Sequence, residues 1–587
     1  MRPLAPAYLW DESLLRAANA REENYWFAWA CDLFESIGAP ALPLPPEALG
    51  HPQMLERVST ILLPPLLTGY LTEAQTDALR SWVEAGGLLI GLATEGLDQL
   101  FGVEAEGHIQ DTEAFEVTAT LRFTDAELAR PLEHPELPDR DLLIVGPVRL
   151  LRAGDCRELA SLGDAEGKPT GRPAVTLRRV GEGWACLFAF DLAHTVWAIQ
   201  QGRPIDRDWV PDGYLRSSDG MIIADREPDV PFTDLLVYLL RNVVALSGQP
   251  MIHQLPALEG EVPDCLLFWG GDDEAAAGTQ VRAAHFMAER GLPYHINIMP
   301  RDGRFTVSPE EFAQLRELGT EPSLHLNFID GYEHPLAFTH EDVRAQVELY
   351  RQAYGETPVC TVFHWTLWHG WTEPAQWLRE EGVLADNSRF NYNKPVLNPT
   401  NSVGYAYGTC FPFFMRLDWR GGNRRLDFIS EPITAYECGY VREGDADPDT
   451  LHRALSNAAF WHQTCNMFYH PVCIFRFAEC KAAIDALLAY LAERGIRAVH
   501  MGNDGVNFWW RARSAAAIED ARCEADGVSF SARCEWDGYV VTVPLPGEHA
   551  SAEVDGEPAW MQVRHEYGRW WGYIPLQSGA HRVRVNW

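Results

Sequence analysis

Lysine is nearly absent from this 587-residue chain: Lys168, Lys394 and Lys481 are the only three among 48 basic residues. No basic run could follow a phosphate backbone, and the formal net charge is -35. Both facts argue against nucleic acid and anionic membrane surfaces as partners. The acidic excess is what a large solvated surface carries. The 12 cysteines form no CxxC pair, which argues against a zinc ribbon and a disulfide framework. Cys186, Cys265 and Cys410 stand inside apolar runs, where cysteine acts as a small core residue. No stretch approaches the roughly 18 uninterrupted apolar residues that span a bilayer. The first residues, Met-Arg-Pro-Leu-Ala-Pro-Ala-Tyr-Leu-Trp-Asp, lack the apolar segment of a secretion signal, so cytoplasmic residence is the expectation. No repeat of fixed period is visible.

What is present is ordinary globular material, 47% hydrophobic and 22% charged, enough for roughly three or four domains. Residues 1–247 read as an α/β unit. Thr72 caps a helix running through Val83, Gly86 and Gly87 end it, and Leu88-Leu89-Ile90-Gly91 follows as a buried strand. Shorter β-like runs between about 105 and 180 form an insertion. A Pro-bearing linker covers 248–263. From 264 to 513 strands and helices alternate, predicting a distorted (β/α) barrel. From 514 to 587 glycine turns separate short β runs, predicting a small all-β, sandwich-like domain.

The amino-terminal unit resembles the class I glutamine-amidotransferase-like, flavodoxin-like domains. The resemblance rests on the helix-then-strand segment Leu71 to Ile90 and on Gly-Glu-Gly-Trp-Ala-Cys-Leu-Phe-Ala-Phe-Asp at 181–191. An active amidotransferase carries its nucleophilic Cys on a sharp turn after a strand. The matching turn here, Gly91-Leu92-Ala93-Thr94, has no thiol, so the resemblance implies a catalytically dead domain that shapes the neighbouring site or joins subunits into a homo-oligomer.

The most informative stretch is Cys-Leu-Leu-Phe-Trp-Gly-Gly-Asp-Asp at 265–273. A buried strand would deliver two adjacent carboxylates to the mouth of an α/β fold. One could bind a divalent metal while the other takes a proton. Other strand ends carry histidines: His325 in Ser-Leu-His-Leu-Asn-Phe, His364 in Cys-Thr-Val-Phe-His-Trp, and His470 in Met-Phe-Tyr-His-Pro. Histidine is the commonest metal ligand and the commonest acid or base near neutral pH. Trp365, Trp368 and Trp371, with His369 among them, offer faces for stacking on a sugar, although core packing accounts for tryptophan equally well.

Residues 264–513 resemble the NodB-like polysaccharide deacetylases of the carbohydrate esterase 4 superfamily. That resemblance implies Asp272 as catalytic base, His470 as general acid, and one divalent ion, zinc, held by Asp273 and His325; His364, also at a strand end, is the preferred replacement for the family's second ligand histidine. The family's His-x-x-x-His is half present, because Ile329 stands four residues after His325. His369 and His334 are alternatives to His364 as third ligand. The activity implied is metal-dependent removal of an N-acetyl group from an amino sugar, or hydrolysis of another small amide. Hydrolysis of non-sugar C–N bonds, as in allantoinase-like members, and a non-catalytic carbohydrate-binding scaffold with a degenerate site remain as alternatives. Glu431 is a strand-end carboxylate that could orient a ligand histidine, and Arg511 or Arg513 could pair with an acidic site residue. Trp509 and Trp510 are expected to pack on the carboxyl-terminal β-domain.

Overall fold

The computed structural model of the protein describes residues 2–110, 112–137, 139–209, 211–223, 230–330, 338–390, 402–441 and 446–587. In the first part, five strands lie parallel in the order Leu42–Leu44, Pro6–Leu9, Thr60–Leu63, Leu88–Leu92 and Gly183–Phe188. Their residues are almost wholly apolar and buried, as a sheet covered on both faces requires. The sheet continues antiparallel through Pro169–Val180, Arg157–Asp164, Val117–Phe123 and Leu142–Val145. The helix Glu73–Glu84 begins with a reciprocal capping box between Thr72 and Gln75, which satisfies two otherwise orphaned N–H donors. The segment from Asn24 to Ile37, whose apolar residues fall at helical spacing, is divided into a 3₁₀ turn, Trp26–Trp29, and a helix, Ala30–Ser36.

Among the described residues of the central part, eight strands run parallel in the order Ala435–Tyr436, Thr464–Phe468, Cys265–Asp272, Tyr294–Ile298, Thr320–Leu326, Cys360–Phe363, Ala385–Asp386 and Arg425–Ser430, and Ala498–Met501 pairs parallel with Cys265–Asp272 as well. Helices Gln280–Ala288, Pro309–Glu317, His340–Tyr354 and Glu373–Glu380 alternate with them. The fold is thus mixed α/β. Of the distorted (β/α) barrel expected from the alternation, the described residues show a sheet curled into a half-barrel. Its ends carry the short antiparallel strands Ser402–Val403 and Phe413–Arg416, and these end the row of parallel pairing before it can close.

Two β sheets complete the molecule. The strands Ala517–Glu524, Gly527–Cys534, Gly579–Asn586, Ser551–Val554 and Glu557–Ala559 form one, joined at its edge by Arg2–Pro3. Tyr539–Leu545, Arg569–Leu576 and Gln562–Glu566 form the other, joined by Met251–Ile252 from the segment read as a linker. Val528, Phe530, Val541, Ile574 and Val583 fill the shared core. Trp509 packs into the same core, edge-on to Trp536 at 5.7 Å, and its ring N–H donates to Gln254 O at 3.1 Å.

Candidate metal centre

The strand Cys265–Asp272 is buried along its whole length. Its Gly271 is required by close approach: a Cβ there would lie 1.9 Å from Tyr469 O on the neighbouring chain segment. That tight fit brings the acidic turn at 272–274 beside His470, the first residue after Tyr469.

The three acids of that turn have different tasks. Asp273 is 0% exposed, and its carboxylate is saturated by three donors. Oδ1 accepts from Ala275 N and Met299 N at 2.9 Å each, and Oδ2 accepts from Gln280 Nε2 at 2.8 Å. Burial pushes its pKa up to about 6 against the pull of these donors and of His325. Asp273, expected as a metal ligand, is therefore the residue that ties the turn. The acid presented by the turn is Glu274, one residue later. Glu274 and Ala275 both have left-handed backbone, with φ of 53° and 50°, a conformation that costs an L-residue about 1–3 kcal/mol and persists only where surrounding contacts impose it.

Glu274 stands between two histidines, Oε2 at 3.2 Å from His364 Nε2 and Oε1 at 3.5 Å from His470 Nε2. Asp272 Oδ1 lies 3.0 Å from His325 Nδ1. One ligand atom each from Glu274, His325 and His364 falls within 4.8 Å of the others, and the same holds for Asp272, Glu274 and His470. A tetrahedral ion with bonds near 2.0–2.1 Å sets its ligand atoms roughly 3.3 Å apart, close to the spacings seen. His325 is 0% exposed, and neither of its ring nitrogens has an aligned hydrogen bond; His364 Nε2 is likewise without one. Buried imidazoles normally find partners, so the donor set fits a divalent cation. His364 Nδ1 is 3.4 Å from Asn327 Oδ1, a contact that leaves Nε2 as the nitrogen facing the ligand position.

The electrostatics agree. Burial would raise Glu274, but the close imidazoles of His364 and His470 and the charges of His470 and His325 carry it well below the carboxylate range. His325, which burial would lower, is raised chiefly by Asp272. His470 rises to about 10: the buried Glu437, whose Oε1 is 2.8 Å from Nδ1, overcomes desolvation together with Glu274. A histidine so backed is protonated at neutral pH and can give up a proton.

Behind Asp272 lies a second polar chain. Asn297 donates from Nδ2 to Asp272 Oδ1 at 3.0 Å, and its Oδ1 is 3.0 Å from His295 Nε2. His295 Nδ1 faces Glu321 and Asp504, each at 3.4 Å. Desolvation is outweighed by these carboxylates, and His295 rises to about 10. Glu321 also accepts from Asp504 N and Gly505 N at 2.9 and 3.1 Å, closing the start of the helix Asn503–Ser514.

The remaining expected residues distribute unevenly. Trp365, 43% exposed, follows His364 directly; it and Thr366 have left-handed φ of 57° and 53°. Trp368 and Trp371 are core residues, their ring N–H groups donating to Trp371 O at 3.2 Å and Gly202 O at 2.7 Å. His369 Nε2 lies 2.7 Å from Phe338 O, and its ring packs on Phe338 and Trp377, away from the acidic turn. His334 lies outside the described residues. Glu431 contacts Asn503 and Cys360 rather than a ligand histidine. Arg511 pairs with Asp427, and Arg513 donates to the carbonyls of Glu35, Ser36, Ile252 and His253; neither meets the acidic turn. The sequence reading missed Glu274, Asn297, His295 and Glu437. The available signal was position: Asn297 and His295 sit on the strand next to the Asp-bearing one, and Glu274 extends the Asp-Asp pair.

No helix among the described residues is long and apolar enough to cross a membrane. No protein-family profile matches the chain, and no curated protein matches it. Solved structures with partial similarity include a β-galactosidase from Bacillus circulans sp. alkalophilus, at 13% identity, covering 32% of this chain and 28% of that one with a TM-score of 0.26. An exo-β-1,4-mannosidase from Opitutaceae bacterium strain TAV5 aligns at 18% identity over 33% and 32% of the two chains, with a TM-score of 0.23. A putative ThuA-like protein from Bacteroides uniformis aligns at 14% over 32% of this chain and 82% of its own, with a TM-score of 0.23. The chain spans only 28% of the length of the first of these structures. Similarity of this extent identifies no family and assigns no activity.

Proposed function

We propose that Glu274, His325 and His364 hold one divalent cation, zinc by the chemistry of the donors, in a hydrolase that removes the N-acetyl group of an amino sugar. The observation supporting this most directly is the convergence of a fully buried histidine without aligned hydrogen bonds, a second such imidazole nitrogen and a strained, anionic Glu274. Bound there, the cation would supply Lewis acidity toward the amide carbonyl and toward water. The protein's own groups supply the rest. Asp272, held by Asn297 and lying against His325, is placed to accept a proton from the attacking water. His470, kept charged by Glu437, is placed to donate a proton to the departing amine. Trp365 offers the exposed aromatic face next to the site. The products are an amino sugar and acetate.

The test is metal analysis of purified protein combined with acetate release from N-acetylglucosamine oligomers. About one zinc per chain is expected, with Glu274→Gln losing both metal and turnover. A metal-free protein that takes up no divalent ion on dialysis would overturn the reading.

A further inference from the structure

A sizeable cavity lies away from the metal centre. It encloses about 730 Å³, within the range of about 300–1,000 Å³ typical of small-molecule sites. It opens at the carboxyl ends of the parallel strands in the first sheet: Pro64 follows the strand ending at Leu63, Ala93 the strand ending at Leu92, and Asp191 lies just past the strand ending at Phe188. The strand Pro6–Leu9 has Leu42–Leu44 on one side and Thr60–Leu63 on the other, so the chain reverses its direction of winding here. Open α/β sheets bind ligands in the crevice at such a reversal.

The cavity is built for recognition. Ala93 is held with φ of 46°. Its neighbour Thr94 locks it, donating from Oγ1 to Pro64 O at 2.8 Å and accepting at its own carbonyl from the buried Arg149. Strain of this kind marks functional turns. With a methyl group where a nucleophile would stand, the turn shapes a wall and does no covalent chemistry. Aromatic rings form the other walls. Trp26 is stacked on His194 at 4.1 Å and meets Phe115 edge-on at 5.6 Å, and Trp419 enters from the Asp418–Arg420 turn. Tyr25 lines the cavity at 8% exposure, and its buried hydroxyl has no hydrogen-bond partner among the described residues, an arrangement that costs free energy. At the rim Arg21 is paired with Glu23 and Arg420 with Asp418, at 2.8 and 2.7 Å. Four acids, Glu22, Glu23, Asp191 and Asp418, stand against two arginines in the lining; of these, Asp191 is buried and accepts from Ala193 N and His194 N, and Glu22 has no cationic partner among the described residues.

From the aromatic walls, the unpartnered Tyr25 hydroxyl and the acidic rim, we infer that this cavity is a non-catalytic binding site for a non-anionic sugar, neutral or amino, independent of the metal centre. Rings present apolar C–H faces to the tryptophans, and hydroxyl groups satisfy Tyr25.

Titration calorimetry and tryptophan fluorescence on the full chain test this, with N-acetylglucosamine, chitobiose, glucosamine and glucose 6-phosphate as probes. Saturable binding of at least one of the three non-anionic sugars is expected, with glucose 6-phosphate excluded. Glu274→Gln should leave it unchanged, which separates this site from the metal centre. Tyr25→Phe removes a hydroxyl that holds nothing among the described residues, so its thermal stability should be unchanged or higher while affinity falls about 5–10-fold, the scale of one hydrogen bond. Trp419→Ala should weaken binding by about tenfold while leaving the Trp419 backbone bond to Asn24 in place. Absence of binding by all three non-anionic sugars, preferred binding of the phosphate, or binding indifferent to both substitutions would each overturn the inference.

Discussion

Asp273 and Glu274 are adjacent carboxylates with opposite fates, and substituting them separately tests the description of the acidic turn. Asp273→Ala removes the acceptor of two backbone N–H groups and one side-chain amide, the Met299 and Gln280 donors buried and the Ala275 donor partly so. Each orphaned donor costs about 1–3 kcal/mol, partly offset by no longer burying a charge. A net loss of about 3–5 kcal/mol is expected, together with loss of metal, because nothing then imposes the left-handed turn at Glu274. Asp273→Asn is the sharper probe. Its Oδ1 can still accept from Ala275 and Met299, and the Gln280 amide can turn to accept from Nδ2. Stability should fall by only about 1 kcal/mol, the charge-assisted part of the bonds, and metal should stay bound. Glu274→Gln should do the reverse, sparing stability and emptying the site. Thermal unfolding read alongside metal content measures both. If Asp273→Asn empties the site while Glu274→Gln retains the ion, the roles assigned to the two residues are exchanged and the geometric argument fails.

Loss of the acid in His470→Ala should lower turnover by about 10²-fold or more with metal retained; Glu437→Gln should give a smaller drop in kcat, and an unchanged kcat in both would remove His470 from the mechanism. Trp365→Ala should raise KM for acetylated sugar oligomers without changing the unfolding temperature, and an unchanged KM would place the sugar elsewhere. The carboxyl of Glu566, near the barrel-facing His462 at 3.0 Å, is lowered to about 2: burial opposes the shift, and His462 and Tyr573 outweigh it. Its folded pKa is below its unfolded value near 4.5, so its stabilisation is present above about pH 4.5 and lost as pH falls through about 2. On the order of 3 kcal/mol should disappear across that window, and Glu566→Gln should flatten this part of the acid-unfolding curve. Because Ala93 carries no nucleophile, assay of the full chain for glutamine hydrolysis should find no ammonia release; steady release would refute the reading of that turn.

Much of the fold was legible because it follows from local rules. Thr72 and Gln75 announce a capped helix, unbroken apolar runs such as Leu88–Leu92 announce parallel strands, and Asp-Asp after Gly-Gly announces a strand mouth. The half-barrel was not legible, because it depends on how short segments such as Phe413–Arg416 pair at the sheet edge. At the site, His325 and His364 stand together as their strand-end positions implied. That Asp273 ties the turn while Glu274 faces the histidines is not displayed by the sequence: which of three consecutive acids turns inward depends on the N–H groups of Met299 and Ala275 and on backbone strain. Trp368 and Trp371 illustrate the same limit, since a tryptophan in a core and one on a sugar look alike until their ring N–H partners are known.

The pairing of Arg2–Pro3 with Ala517–Glu524, and of Met251–Ile252 with Tyr539–Leu545, has a consequence for biosynthesis. Chain growth at about 5–20 residues per second delays the partners of the earliest residues by roughly half a minute to two minutes. Until then, Arg2–Pro3 and Met251–Ile252 lack the sheets whose edges they join, and Arg513 cannot reach the carbonyls of Glu35 and Ser36. The nascent amino-terminal half therefore waits with exposed backbone donors and acceptors, an opening for mispairing. Truncation from the carboxyl end should damage the beginning of the chain as much as its end.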